Sequence, residues 1–174
     1  MQEQREPRLD AGAMLSDHLH AEVRRMREEK LRTSPQLTLG KLIDLLSKLD
    51  ADKRVRFDFR IGRNSAVPGE VMSWRGAYAE LAISFSYEER EMPTVAQVLA
   101  DLQFAIGKTF EGYKGGQYMM GETTPVWVAS YGDSGVGGYK SQTSVGVIGV
   151  KRETYKAATG ETYTVVIETQ AMEY

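Results

Sequence analysis

The sequence predicts an α+β fold: a single domain whose mixed or antiparallel sheet of about five strands is covered by two to three helices and closed by a C-terminal β-hairpin. Three observations carry this expectation. Apolar residues recur at helical spacing in separate stretches, the clearest being Leu39, Leu42, Ile43, Leu46 and Leu49. Between and after them stand runs with strand alternation. The last two runs, Ser144–Thr154 and Thr162–Thr169, are joined around Thr159-Gly160 and read as a hairpin. A chain of 174 residues with 41% hydrophobic and 26% charged residues can build one full core.

Each element has a local cause. From Ala13 to Leu31, Leu15, Leu19, Val23, Met26 and Leu31 form a narrow stripe, with Arg24, Arg25, Arg27 and Glu28 on the other face. Such a stripe either docks on its own domain or packs against a partner chain. Thr33-Ser34-Pro35 breaks this helix, and Thr38 starts the next. Val55, Phe57 and Phe59 then alternate with Arg54, Arg56, Asp58 and Arg60 as a strand, and residues 61–70 read as a loop. Leu81, Ile83 and Phe85 mark a second strand. A third helix opens at Pro93-Thr94, where Thr94 and Gln97 have capping-box spacing. A Gly-rich insert spans Gly107–Thr124, Val126–Val128 reads as a strand, and a second Gly-rich loop covers Gly132–Gly138. The organisation is thus a tail and amphipathic helix at 1–34, an α+β core at 35–150, and a C-terminal strand or hairpin extension at 151–174.

Two segments align. Thr38-Leu39-x-x-Leu42-Ile43-x-x-Leu46 matches Thr94-Val95-x-x-Val98-Leu99-x-x-Leu102, and each leads to a strand. The match fits either an internal repeat or two unrelated helices that share a capped amphipathic pattern.

Composition excludes several chemistries. With no cysteine there is no disulfide, thiolate nucleophile or Cys-ligated metal. His18 and His20 are the two histidines; two positions apart on a helix they point to different faces, so no metal site is expected. A net charge of −2 provides no basic field for nucleic acid. The N-terminus lacks a secretory signal and no stretch is apolar enough for a membrane span, so a cytoplasmic location is expected. Gly107-Lys108-Thr109 lacks the spacing of a P-loop, and Gly135-Val136-Gly137 lacks that of a dinucleotide-binding turn. Carboxylates in or near loops (Glu70, Glu80, Glu88, Glu89, Glu91, Glu111, Glu122, Asp133) are the remaining acid–base groups, and no spacing singles out a pair. No cofactor is implied.

Glycine, aromatic rings and cations coincide in two stretches, Ser73-Trp74-Arg75-Gly76-Ala77-Tyr78 and Lys108 to Tyr118. Glycine lets backbone approach a ligand. Trp74, Tyr78, Tyr113 and Tyr118 can stack on a flat ring. Arg75, Lys108 and Lys114 can pair with phosphate or carboxylate. Together they point to a nucleotide-like or otherwise anionic small molecule; the packing alternative is rings that cover a sheet edge and glycines that serve turns.

These residues, with Pro68-Gly69-Glu70, Thr94-Val95-x-x-Val98-Leu99, Gly107-Lys108-Thr109-Phe110-x-Gly112-Tyr113-Lys114-Gly115-Gly116 and Thr124-Pro125-Val126-Trp127-Val128-Ala129-x-Tyr131-Gly132, resemble a family of small accessory proteins of tailed bacteriophages. The resemblance spans about residues 37–150. Met72 stands where the family usually has histidine, Trp74 replaces a tyrosine, and Ala77 departs from its tyrosine-rich stretch. The resemblance implies a phage accessory protein acting in the host cytoplasm. By analogy with such proteins it implies an anti-defence role in which a signalling nucleotide is sequestered, as by a sponge, without cleavage. The alternatives are a protein-interaction module that inhibits a host protein or serves phage assembly, and a carboxylate-dependent hydrolase of a nucleotide signal. A homo-oligomer is expected under each.

Overall fold

The computed structural model describes residues 11–86, 91–129 and 144–172; the Gly132–Gly138 loop, Glu88, Glu89, Tyr131 and Asp133 lie outside them. The chain divides between Pro35 and Gln36 into two compact units.

The first unit contains α1 (Ala11–Thr33). Lys30 and Arg32 in its last turn complement the negative end of the helix dipole. Thr33 Oγ1 donates to Glu29 O (2.9 Å), and Ser34 N–H donates to Lys30 O (2.8 Å) before Pro35 stops the helix. Leu15, Leu19, Val23 and Met26 are all more than half exposed.

The second unit is α+β. Its helices are α2 (Leu39–Ser47) and α3 (Val95–Ala105). The main sheet uses β1 (Val55–Phe57), β4 (Val67–Trp74), β5 (Ala77–Ser86), β8 (Val126–Val128), β9 (Ser144–Ala157) and β10 (Gly160–Met172), in the order β1-β10-β9-β8-β5-β4. Pairs β1–β10 and β5–β8 are parallel; the rest are antiparallel. The sheet curls until its two edges meet: Phe57 N–H donates to Ala66 O (2.9 Å) and Ala66 N–H to Phe59 O (3.1 Å). Two small hairpins complete the unit, β2–β3 (Arg60–Ile61, Asn64–Ser65) and β6–β7 (Thr109–Glu111, Gln117–Met119).

Alternation along the strands sorts side chains to two faces. One face carries Leu81, Ile83, Val126, Val128, Val145, Val147, Val165 and Ile167, which pack with Leu39, Leu42 and Leu46 of α2 and Val95, Val98 and Leu102 of α3. The other holds a smaller cluster of Trp74, Ala82, Trp127 and Ala129.

The aligned segments prove to be equivalent parts of a duplicated arrangement. Each helix leads to a short strand and then a long hairpin: α2, β1, β4–β5, and α3, β8, β9–β10. Each short strand pairs in parallel with the second strand of the other half's hairpin. Hydrogen bonds repeat in kind. Val55 N–H donates to Pro93 O (2.8 Å) as Val126 N–H donates to Leu37 O (3.1 Å). Val95 N–H donates to Lys53 O (2.8 Å) as Leu39 N–H donates to Thr124 O (2.8 Å). Asp58 N–H donates to Ile167 O (3.1 Å) as Ala129 N–H donates to Ile83 O (3.2 Å). Both N-cap threonines sit in an isolated bridge to the residue before the other half's short strand, Thr38 to Pro125 and Thr94 to Arg54.

The caps differ in strength. Thr94 forms a full capping box, its Oγ1 accepting from Gln97 N (3.2 Å) and its N–H donating to Gln97 Oε1 (2.9 Å). Thr38 Oγ1 accepts only a longer bond from Lys41 N (3.4 Å). Thr94→Ala is therefore expected to cost about 1–2 kcal/mol and Thr38→Ala about 0.5 kcal/mol, read from urea midpoints.

Three expectations are revised. The stretch 61–70, read as a loop, holds the start of β4, which brings the expected sheet of about five strands to six. Residues 151–174 do not append to a finished core: β10 lies inside the sheet, between β1 and β9. The Gly107–Thr124 insert contains a hairpin rather than a plain loop.

Candidate ligand-binding site

The two glycine-rich stretches meet at one end of the α+β unit. The first forms the tight turn between β4 and β5, at Arg75-Gly76. The second forms β6–β7, whose turn is closed by Gly115 N–H donating to Gly112 O (2.9 Å) and Gly112 N–H donating to Gly116 O (3.1 Å). Gly115 and Gly116 have φ of +88° and +83°, where a side chain is strained.

Contacts between the stretches are specific. The Arg75 guanidinium lies over the Tyr113 ring, 3.6 Å from its centroid. The Tyr78 and Tyr118 rings sit 5.6 Å apart, tilted by 58°. Tyr113 is 65% exposed, so the cation–π pair is at the surface. A guanidinium carries its donors along its edges and its flat face on the ring, so the stack fixes the plane of the Arg75 group. Lys114 is exposed in the same turn, next to Tyr113.

Two of the expected site residues are placed elsewhere. Trp74 is 1% exposed and stacks on Trp127, centroids 3.9 Å apart and planes within 12°. Its face is therefore occupied inside the fold, which corrects the expectation that it stacks on a ligand; it anchors the strand that ends at Arg75. Lys108 Nζ lies over Phe104 (4.4 Å) and Phe110 (5.1 Å). It borders a shallow concavity of about 260 Å³ that Glu70, Asp101 and the two phenylalanines also line. Phe104 and Phe110 flank Lys108 in sequence, and that spacing is the signal that would have found this second cluster.

Glycine here serves the protein's own rings. A Cβ at Gly76 would stand 2.5 Å from the Trp74 ring, and one at Gly112 would stand 2.8 Å from Tyr118 Cε2. Gly116→Ala adds a positive-φ penalty and a 3.3 Å approach to Tyr118. It is expected to destabilise the β6–β7 hairpin by about 1–2 kcal/mol. Hydrogen exchange should then rise across residues 109–119 while the six-stranded sheet keeps its protection.

One carboxylate is deeply placed. Glu80 is 7% exposed and its Oε2 accepts from Trp127 Nε1 (3.1 Å). It lies against the tryptophan cluster. Glu91 pairs with Arg54 (2.8 Å), which also donates to Met92 O (2.8 Å). Both residues line a cleft of about 540 Å³ between β4 and α3. The duplication explains this cleft. In the other half, Leu37 N–H reaches Val147 O (2.7 Å) and seals the seam, whereas the equivalent residue, Pro93, has no N–H to donate. Among the described residues no three His, Cys, Asp or Glu stand close enough to hold a metal ion, and no helix is long and apolar enough to cross a membrane.

Comparisons of the chain with protein-family models, curated proteins and solved structures return no match.

Proposed function

We propose that this is a phage accessory protein that binds and sequesters a nucleotide-like anionic small molecule, without catalysis, at the surface formed by Arg75, Tyr78, Tyr113, Lys114 and Tyr118. The supporting observation is the Arg75–Tyr113 stack, which joins two stretches far apart in sequence into one cationic, aromatic surface. A base or other flat ring finds the exposed Tyr113 face, and a phosphate finds the Arg75 and Lys114 charges. Host-cytoplasmic action against a defence signal follows from the family resemblance.

The test is a thermal-shift panel of cyclic nucleotides and ADP-ribose derivatives on the full chain. At 100 times its dissociation constant a true ligand adds about 2.7 kcal/mol of stability. Denaturing the complex returns the ligand intact if the protein sequesters it and degraded if it is a carboxylate-dependent hydrolase. No shift with any member of the panel overturns the reading. A second reading, a protein-interaction module, is supported by the exposed apolar stripe of α1.

A further inference from the structure

The apolar stripe of α1 falls in a heptad register. With Glu22 at position g, Ser16, Val23 and Lys30 fall at a, Gly12, Leu19, Met26 and Thr33 at d, and Arg27 at e. The central a and d residues are apolar and open: Leu19 is 53% exposed, Val23 62% and Met26 64%. Leu15, at the preceding g, widens the seam on one side.

We propose that α1 pairs with α1 of a second copy of this chain, parallel and in register. Charge complementarity selects the parallel arrangement. In a parallel pair each g residue faces the e residue five positions on in the other helix, so Glu22 meets Arg27 of the second copy, twice by symmetry. In an antiparallel pair g faces g, which sets Glu22 against its own copy and opposes Met26 to the polar Ser16. The β-branched Val23 at a, with Leu19 and Met26 at d, favours two strands over three or four. Lys30 at the next a ends the apolar seam and fixes its register, at a cost in affinity. Pairing is thus concentration-dependent. It rests on α1 alone and stands independently of the ligand-binding reading.

The chain's lack of cysteine makes the test direct. Met26→Cys introduces a single thiol at the predicted seam, and mild oxidation of the full chain is expected to give a disulfide-linked dimer. Met14→Cys, off the stripe, is expected to stay monomeric on a denaturing gel. By sedimentation equilibrium the wild-type chain should dimerise reversibly, and Leu19→Asp should abolish the dimer. Glu22→Arg should weaken it about tenfold, and adding Arg27→Glu should restore it. Four results overturn the proposal: a monomer at every concentration, a dimer that survives Leu19→Asp, a Met26→Cys chain that does not cross-link, or a charge swap that does not rescue. Melting of each variant as monomer checks that the α+β unit is intact.

Discussion

Trp127→Ala is expected to lower the unfolding free energy of the α+β unit by about 4 kcal/mol, the largest single-residue loss predicted for this protein. The side chain is 3% exposed and fills the smaller of the two clusters, stacked flat on Trp74. Its removal leaves a cavity beside Trp74 that small neighbours such as Ala82 and Ala129 cannot fill. It also strips the buried Glu80 of its indole donor, and a buried polar group that loses a hydrogen bond costs further stability. Trp127→Phe separates the contributions. The ring still meets Trp74 but cannot donate, so a loss of about 1–3 kcal/mol is expected from the missing hydrogen bond and reduced area. The Glu80→Gln, Trp127→Phe double variant should cost less than the sum of its single changes, because the two side chains meet in one hydrogen bond that each change perturbs. Urea melts at constant m read these variants and Glu80→Gln alone. A Trp127→Ala loss under about 1.5 kcal/mol would mean that this face of the sheet is not closed as described.

Helices and most strands were legible because their causes are local. Thr38 and Thr94 announce the two helix starts, and the 3.6-residue periodicity behind each is clean. The match between those segments left a duplication open beside two unrelated capped helices. Its decisive evidence, however, is the exchange of short strands between halves, a pattern of long-range hydrogen bonds that no window of sequence contains. β4 escaped for a physical reason. Pro68 and Gly69 read as turn residues, and the register shift between Pro68 and Val71 destroys the alternation that would betray a strand. An edge strand tolerates both residues. Trp74 misled in the opposite direction: beside Arg75 and Gly76 it looks like a ligand platform, yet Gly76 is small because the Trp74 ring needs that space. Residue type proposed the site, and burial divided it, keeping Arg75, Tyr78, Tyr113 and Tyr118 together while assigning Trp74 to the core and Lys108 to the Phe104–Phe110 cluster.

The duplication also shows where the two halves differ. The α3 half carries the β6–β7 insertion between helix and short strand, while the α2 half connects the same points directly through residues 48–54. A symmetric scaffold does not need that insertion to close its sheet. What the insertion does is set Tyr113 beneath Arg75 and Tyr118 against Tyr78. This yields the second large prediction. Arg75→Ala should weaken binding of an anionic ligand about 10- to 100-fold, the effect of losing a hydrogen-bonded charge. It should leave the melting temperature of the free protein nearly unchanged, since Arg75 lies in a turn outside both apolar clusters. Arg75→Lys keeps the charge but loses the planar stack on Tyr113 and should recover only part of the affinity. Tyr113→Phe should bind almost as wild type, because the ring face does the stacking, whereas Tyr113→Leu should resemble Arg75→Ala. Trp74→Phe should behave in the reverse sense, lowering stability through its contact with Trp127 while a ligand still binds to the folded fraction. Isothermal titration with a nucleotide identified by the thermal-shift panel, paired with a melt of each free variant, separates the two classes. Equal affinity of Arg75→Ala and the wild-type chain would remove this surface from the ligand site.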